Sequence, residues 1–155
     1  MTNIRDAYDR LREEIRRAEA DFGRVPGSVC LLAVSKLRSV TDICAAMTCG
    51  QRHFAENYLQ EALEKIQALN DPELTWYFIG PVQSNKTRPI AEHFHWVHSI
   101  DRVKIARRLH DARPDHLPPL NVCIQINFSN EESKAGITPG DLPAFIKDCS
   151  GLGKL

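Results

Sequence analysis

The chain has 155 residues, 43% of them hydrophobic and 26% charged, which suits one globular domain with a sizeable core. Its 20 Lys and Arg balance 20 Asp and Glu, which argues against a generic nucleic-acid or polyanion binder. No apolar run approaches the ~20 residues needed to cross a bilayer, and the N-terminus has no apolar signal core, so a cytoplasmic location is the default. The five cysteines, Cys30, Cys44, Cys49, Cys123 and Cys149, have no Cys-x-x-Cys spacing. Most read as small buried apolar side chains in a reducing compartment.

Residues 3–22 predict an amphipathic helix with Asn3 as cap and Gly23 as terminator. Ile4, Tyr8, Leu11, Ile15, Ala18 and Phe22 form one apolar stripe, which needs a sheet or barrel end to cover. Residues 29–36, Val-Cys-Leu-Leu-Ala-Val-Ser-Lys, form an apolar run of strand length. Such runs suit a strand buried on both faces, as in a parallel sheet. With period two, Cys30, Leu32, Val34 and Lys36 share a face. Lys36 then stands at the carboxyl end of the strand, where ligands bind in α/β sheets and barrels. A partly desolvated lysine has a lowered pKa, and its neutral amine can condense with a carbonyl to a Schiff base. A strand-flanking lysine with its charge in water is the commoner case.

Ser39-Val40-Thr41-Asp42 resembles a capping box, and Ile43, Ala46 and Met47 supply the buried side of its helix before Gly50. A second strand is expected at 52–55. Asn57 follows, at a junction where its side chain caps the next helix, the commoner role, or points into a site. Leu59, Ala62, Leu63, Ile66 and Leu69 form the apolar face of that helix. Residues 74–79 predict a third strand, broken by Gly80-Pro81. A helical segment follows from Val82, which Pro89 kinks or delays. His93, His95 and His98 lie close together, but no further ligands complete a metal site there. Residues 94–100 predict a fourth strand, then a helix capped by Asp101 with Ile105 and Leu109 inside.

Residues 120–128 alternate most clearly. Leu120, Val122, Ile124, Ile126 and Phe128 face one way; Asn121, Cys123, Gln125 and Asn127 face the other. Between helices, this predicts a parallel strand with its apolar face under helices and its polar face lining an interior. A polar loop and a last helix near 139–149 follow. The chain thus reads as a helix and then five strands, each followed by a helix. Right-handed connections leave an open doubly wound sheet or, the favoured reading, a partial TIM (β/α) barrel of about five of eight parallel strands.

Five ordered stretches carry a resemblance: Leu-Leu-Ala-Val-Ser-Lys (31–36), Phe-Ala-Glu-Asn-Tyr-Leu-Gln-Glu (54–61), Trp-Tyr-Phe-Ile-Gly-Pro-Val-Gln-Ser-Asn-Lys (76–86), His-Ser-Ile-Asp-Arg (98–102) and Gln-Ile-Asn with Ser-Lys-Ala-Gly (125–127, 133–136). Together they closely resemble the pyridoxal phosphate homeostasis family, which has the alanine-racemase N-terminal barrel. The resemblance implies pyridoxal 5′-phosphate held as a Schiff base on Lys36. It implies Asn57 as a pocket residue near the cofactor ring and Lys134 as a lysine near the pocket mouth. It implies a monomer that buffers or delivers the cofactor, with apo-enzymes as recipients and no turnover of its own. An amino-acid racemase and an inactive fragment are the alternatives. Arg38 stands where many members have lysine; it keeps the charge but cannot form an imine. The family continues for several further β/α units that carry its phosphate cup. A chain stopping at Leu155 is therefore expected to be truncated and to hold the cofactor weakly.

Overall fold

Helices alternate with strands from end to end of the chain, and the strands stack in the order in which they are made. The structure is a computed structural model that describes residues 3–129, 131 and 133–155. Helix α1 spans Ile4–Asp21, and the Asn3 side chain accepts from the Arg5 N–H as its cap. Strands β1 (Ala33–Val34), β2 (His53–Glu56), β3 (Thr75–Phe78), β4 (Trp96–Ile100) and β5 (Asn121–Ile124) form one sheet in the order β1-β2-β3-β4-β5. Every neighbouring pair is parallel. Helices α2 (Val40–Thr48), α3 (Leu59–Leu69), α4 (Thr87–His93), α5 (Val103–Ala112) and α6 (Leu142–Cys149) follow the strands in turn.

A sequential order decides between the two architectures that the sequence leaves open. A doubly wound sheet reverses its strand order at a switch point. Here each crossover advances one strand in the same direction, and with the right-handed connections that parallel strands take, the helices gather on one face. Phe54, Trp76, Phe78 and Val97 point to that face and meet Ile43, Ala62, Ile90, Ile105, Leu109 and Phe145 from the helices in one buried cluster. This is the wall of a (β/α) barrel, with β1 and β5 as its free edges. As expected from its alternation, β5 turns Val122 and Ile124 to the helix side.

Sequence signals hold where local chemistry decides. Ser39 and Asp42 form a full capping box, and Gly50 leaves α2 with φ 96°. Elsewhere the structure corrects the expectation. The first strand is two residues long rather than eight. Its ladder with β2 begins only at Ala33, opposite Phe54, and residues 29–32 are tied by side chains instead. The Glu19 carboxylate accepts from the Gly27 and Val29 N–H groups at 2.8 Å each, and the Gln51 amide donates to the Leu31 carbonyl at 2.8 Å. The α1 stripe is only partly covered: α1 packs on α2, Leu11 and Phe22 are exposed, and the buried residue of α1 is Glu19. Asp101 does not cap α5; its carboxylate accepts from the Arg102 guanidinium. None of the five cysteines is fully buried, and Cys30 and Cys44 are exposed.

Candidate functional site

The site is built at the carboxyl ends of β1 and β2. The Ser35 N–H donates to the Ala55 carbonyl at 2.9 Å, which extends the ladder one residue past β1. The chain then turns back: the Arg38 N–H donates to the Ser35 carbonyl at 3.0 Å. Lys36 and Leu37 are the two central residues of that turn. Leu37 has φ 59°, the left-handed region that a type II turn normally gives to glycine. For a residue with a Cβ this conformation costs about 1–2 kcal/mol. Such strain persists where surrounding structure over-determines it.

Here that structure is a polar network on the helix side of the sheet. The Lys65 ammonium donates to the Ser35 carbonyl at 2.7 Å, to Glu56 Oε1 at 2.7 Å and to Glu61 Oε1 at 2.6 Å. Its three protons are thereby used. The Ser35 hydroxyl donates to Glu56 Oε1 at 2.7 Å, and Glu61 Oε1 accepts from the Leu37 N–H at 2.7 Å. Ser35, Glu56 and Lys65 are buried, Glu56 completely. Burial works to lower the Lys65 pKa, but its hydrogen bonds to Glu56 and Glu61 and the charges of those carboxylates together outweigh it and hold the ammonium above its ordinary range. The Lys65 hydrogen bond holds the Glu61 carboxyl below its ordinary range.

Asn57 directly follows β2. Val34 pairs with Ala55, and two residues further Lys36 and Asn57 follow the carboxyl ends of these neighbouring strands. Asn57 does not cap α3: Tyr58 occupies that position, without a side-chain bond. Instead Asn57 Oδ1 is buried with no hydrogen-bond partner among the described residues. Gly80, two residues past β3, presses on the Asn57 backbone. A Cβ at Gly80 would fall 2.2 Å from the Asn57 carbonyl oxygen, so only glycine fits. One row nearer the amino ends, on the face opposite the helices, Tyr77 stacks on Trp96 with ring centroids 5.8 Å apart, and His98 meets both edge-on. The Tyr77 hydroxyl contacts His53 Nδ1 at 3.0 Å. Burial pushes the Tyr77 pKa up and the His98 pKa down.

Lys36 itself is exposed. This corrects the expected partly desolvated amine: β1 is a free edge, and the face that carries Lys36 is open. Lys134 is also exposed, paired with Glu131 at 2.6 Å. Its loop is anchored by the segment just past β5, which ends at Ile124 rather than running to 128 as expected. Gln125 donates to the Ala135 carbonyl, and Asn127 donates to the Glu131 and Lys134 carbonyls. The structure thus puts Lys36 and Asn57 just past the carboxyl ends of the adjacent strands β1 and β2, and Lys134 on the separate loop after β5. The three histidines hold different partners. His93 contacts the Pro89 carbonyl, His95 Nδ1 accepts from the Trp76 N–H, and His98 faces Tyr77. A cleft of about 330 Å³ runs between α1, α2 and the edge of β1, lined by Ile4, Ala7, Val34 and Ile43 among others; neither Lys36 nor Asn57 lines it.

Sequence reasoning missed Glu56, Glu61 and Lys65. One signal was available: Lys65 falls on the apolar stripe of α3, between Ala62 and Ile66, where a charge has to find buried partners.

A wall of parallel strands with its helices outside and a lysine at the carboxyl end of the first strand defines a (β/α)-barrel protein with a ligand end at that rim. The family model for the alanine racemase N-terminal domain matches residues 7–155, and the chain belongs to that family. It is 53% identical over 155 residues to the pyridoxal phosphate homeostasis protein of Pseudomonas aeruginosa, covering all of this chain and 67% of the relative. PipY of Synechococcus elongatus with PLP bound superposes with a TM-score of 0.76 at 39% identity, covering 89% of this chain and 64% of PipY. Alanine racemase of Corynebacterium glutamicum shares the fold, with a TM-score of 0.63 at 13% identity over 83% of this chain and 37% of the racemase. The chain therefore spans about two thirds of the length of the homeostasis relative and of PipY. No helix among the described residues is long and apolar enough to cross a membrane.

Proposed function

We propose that this chain binds pyridoxal 5′-phosphate through Lys36 and serves the intracellular homeostasis of that cofactor, with no turnover of its own. One observation carries the reading: Lys36 stands at the carboxyl rim of β1, and on the adjacent rim of β2 Asn57 has a buried amide oxygen with no partner among the described residues. A buried polar atom left without a partner is costly, and a bound ligand is one way to satisfy it. The identity to proteins named for pyridoxal phosphate homeostasis, and the PLP-bound form of PipY, supply the ligand.

When bound, the cofactor supplies an aldehyde. Lys36 would hold it by condensation of its amine with that aldehyde, as a Schiff base. The carbonyl oxygen leaves as water with the two amine hydrogens, so neither oxidant nor reductant is needed. Asn57 offers its amide to the ring, and Lys134 stands at the outer loop. The recipients are apo-enzymes that need the same cofactor, and the setting is the cytoplasm, with the protein acting as a monomer. Racemisation requires acid and base groups on both faces of the bound substrate, a demand that storage of a cofactor does not make.

Borohydride reduction in the presence of pyridoxal phosphate, followed by peptide mapping, tests the reading. The label is expected on Lys36 and is lost in Lys36→Ala. A label on another lysine with Lys36 unmodified overturns the assignment. Chiral chromatography of amino acids incubated with the protein is expected to show no racemisation. Turnover that disappears in Lys36→Ala would install the enzyme reading instead.

A further inference from the structure

The network behind β1 grips the peptide groups on both sides of a single residue. The carbonyl between Ser35 and Lys36 accepts from the Lys65 ammonium at 2.7 Å. The N–H between Lys36 and Leu37 donates to the Glu61 carboxylate at 2.7 Å. The two gripping heads are themselves paired at 2.6 Å, one turn apart on α3. Lys36 is therefore the one residue whose Cα is held between both jaws. We infer that Glu61 and Lys65 are positioning residues that clamp the backbone of Lys36 and so fix where its amine stands for condensation with the cofactor aldehyde. The inference rests on the reading of Lys36 as the attachment residue.

The physical case has three parts. A lysine side chain has four rotatable carbons, so its amine is placed only as well as its Cα is placed. Hydrogen bonds with an ionised partner are about twice as strong as neutral ones, and both grips are of that kind. The left-handed Leu37 is a strained turn that would relax without them. A network that served stability alone would gain nothing from such strain. α3 is the rigid element that carries the jaws, while Lys36 itself is exposed and unburdened by packing.

The test uses the full 155-residue chain, titrated with pyridoxal phosphate and read by imine absorbance and by borohydride-trapped label at Lys36. Glu61→Ala is expected to weaken imine formation roughly tenfold, the worth of one charged hydrogen bond. Glu61→Gln keeps an oxygen for the Leu37 N–H and is expected to recover to within roughly threefold of wild type. If Glu61→Ala does not fold, Glu61→Asp replaces it. Its carboxylate stays but its reach is one methylene short, and the same loss is expected. Lys36→Ala runs beside them. Wild-type titration by Glu61→Ala, or by Glu61→Asp where that variant stands in, overturns the clamp. When imine formation remains dependent on Lys36, the attachment stands and only the clamp falls. An imine that survives in Lys36→Ala, or none in wild type, overturns both.

Discussion

Lys65→Met isolates the buried charge at the heart of the site. Lys65 is 5% exposed and its partner Glu56 0%, with Glu56 Oε1 2.7 Å from the ammonium. Removing the lysine leaves Glu56 with only the Ser35 hydroxyl and strips Glu61 of its pair. Breaking one side of a buried ion pair costs about 3–5 kcal/mol. At about 2–4 °C per kcal/mol for a chain of this size, the melting temperature falls by about 6–20 °C. Lys65→Met combined with Glu56→Gln leaves no buried charge without a partner and costs markedly less. Urea unfolding of wild type, both single variants and the double variant, followed by circular dichroism at neutral pH, gives the coupling energy directly. A Lys65→Met within about 1 kcal/mol of wild type, or a coupling of zero, refutes the reasoning. The pair also has a signature in pH. The Lys65 pKa is raised above its ordinary 10.5, so its contribution is complete below that value and fades as the pH climbs through the folded one. The Glu61 pKa is lowered from its ordinary 4.5, so its contribution is complete above that value and fades as the pH falls. The destabilisation by Lys65→Met is therefore largest across the neutral range and shrinks at both extremes.

Three other substitutions separate stability from binding. Asn57→Ala removes a buried amide oxygen without a partner, so thermal melting stays level or rises, while trapped label at Lys36 falls several-fold. Gly80→Ala drives a methyl group to 2.2 Å from the Asn57 carbonyl oxygen; overpacking of this kind costs about 1–3 kcal/mol, measurable by urea midpoint. Glu19→Ala frees the Gly27 and Val29 amides, whose hydrogen exchange accelerates while α3 amides keep their protection.

How far the sequence carried the reading depended on whether a residue's role was local. The capping box at Ser39 and Asp42, the alternation of the fifth strand and the sequence of strand and helix were legible because each arises from neighbours in the chain. The length of β1 was not, since the pairing with β2 starts only at Ala33, opposite Phe54. Lys36 and Asn57 were found by motif, but the exposure of Lys36 depends on which strands flank it. Glu56 and Lys65 escaped because hydrophobic patterning sends charges to water, whereas here two residues 9 positions apart, on β2 and α3, are buried against each other. Arg113 escaped in the same way; it is buried and donates to the Ala91, Phe94 and Pro118 carbonyls.

The stacked Tyr77 and Trp96 give the protein an optical gauge of its own. Trp96 lies three strands from Lys36, roughly 14 Å at the usual strand spacing, and is half-buried on the open face, whereas Trp76 is sealed in the core. An absorbing chromophore anchored at the rim would quench the emission of Trp96 through space. Ligand arrival and departure could thus be followed in the native chain, with Trp96→Phe as the silent control.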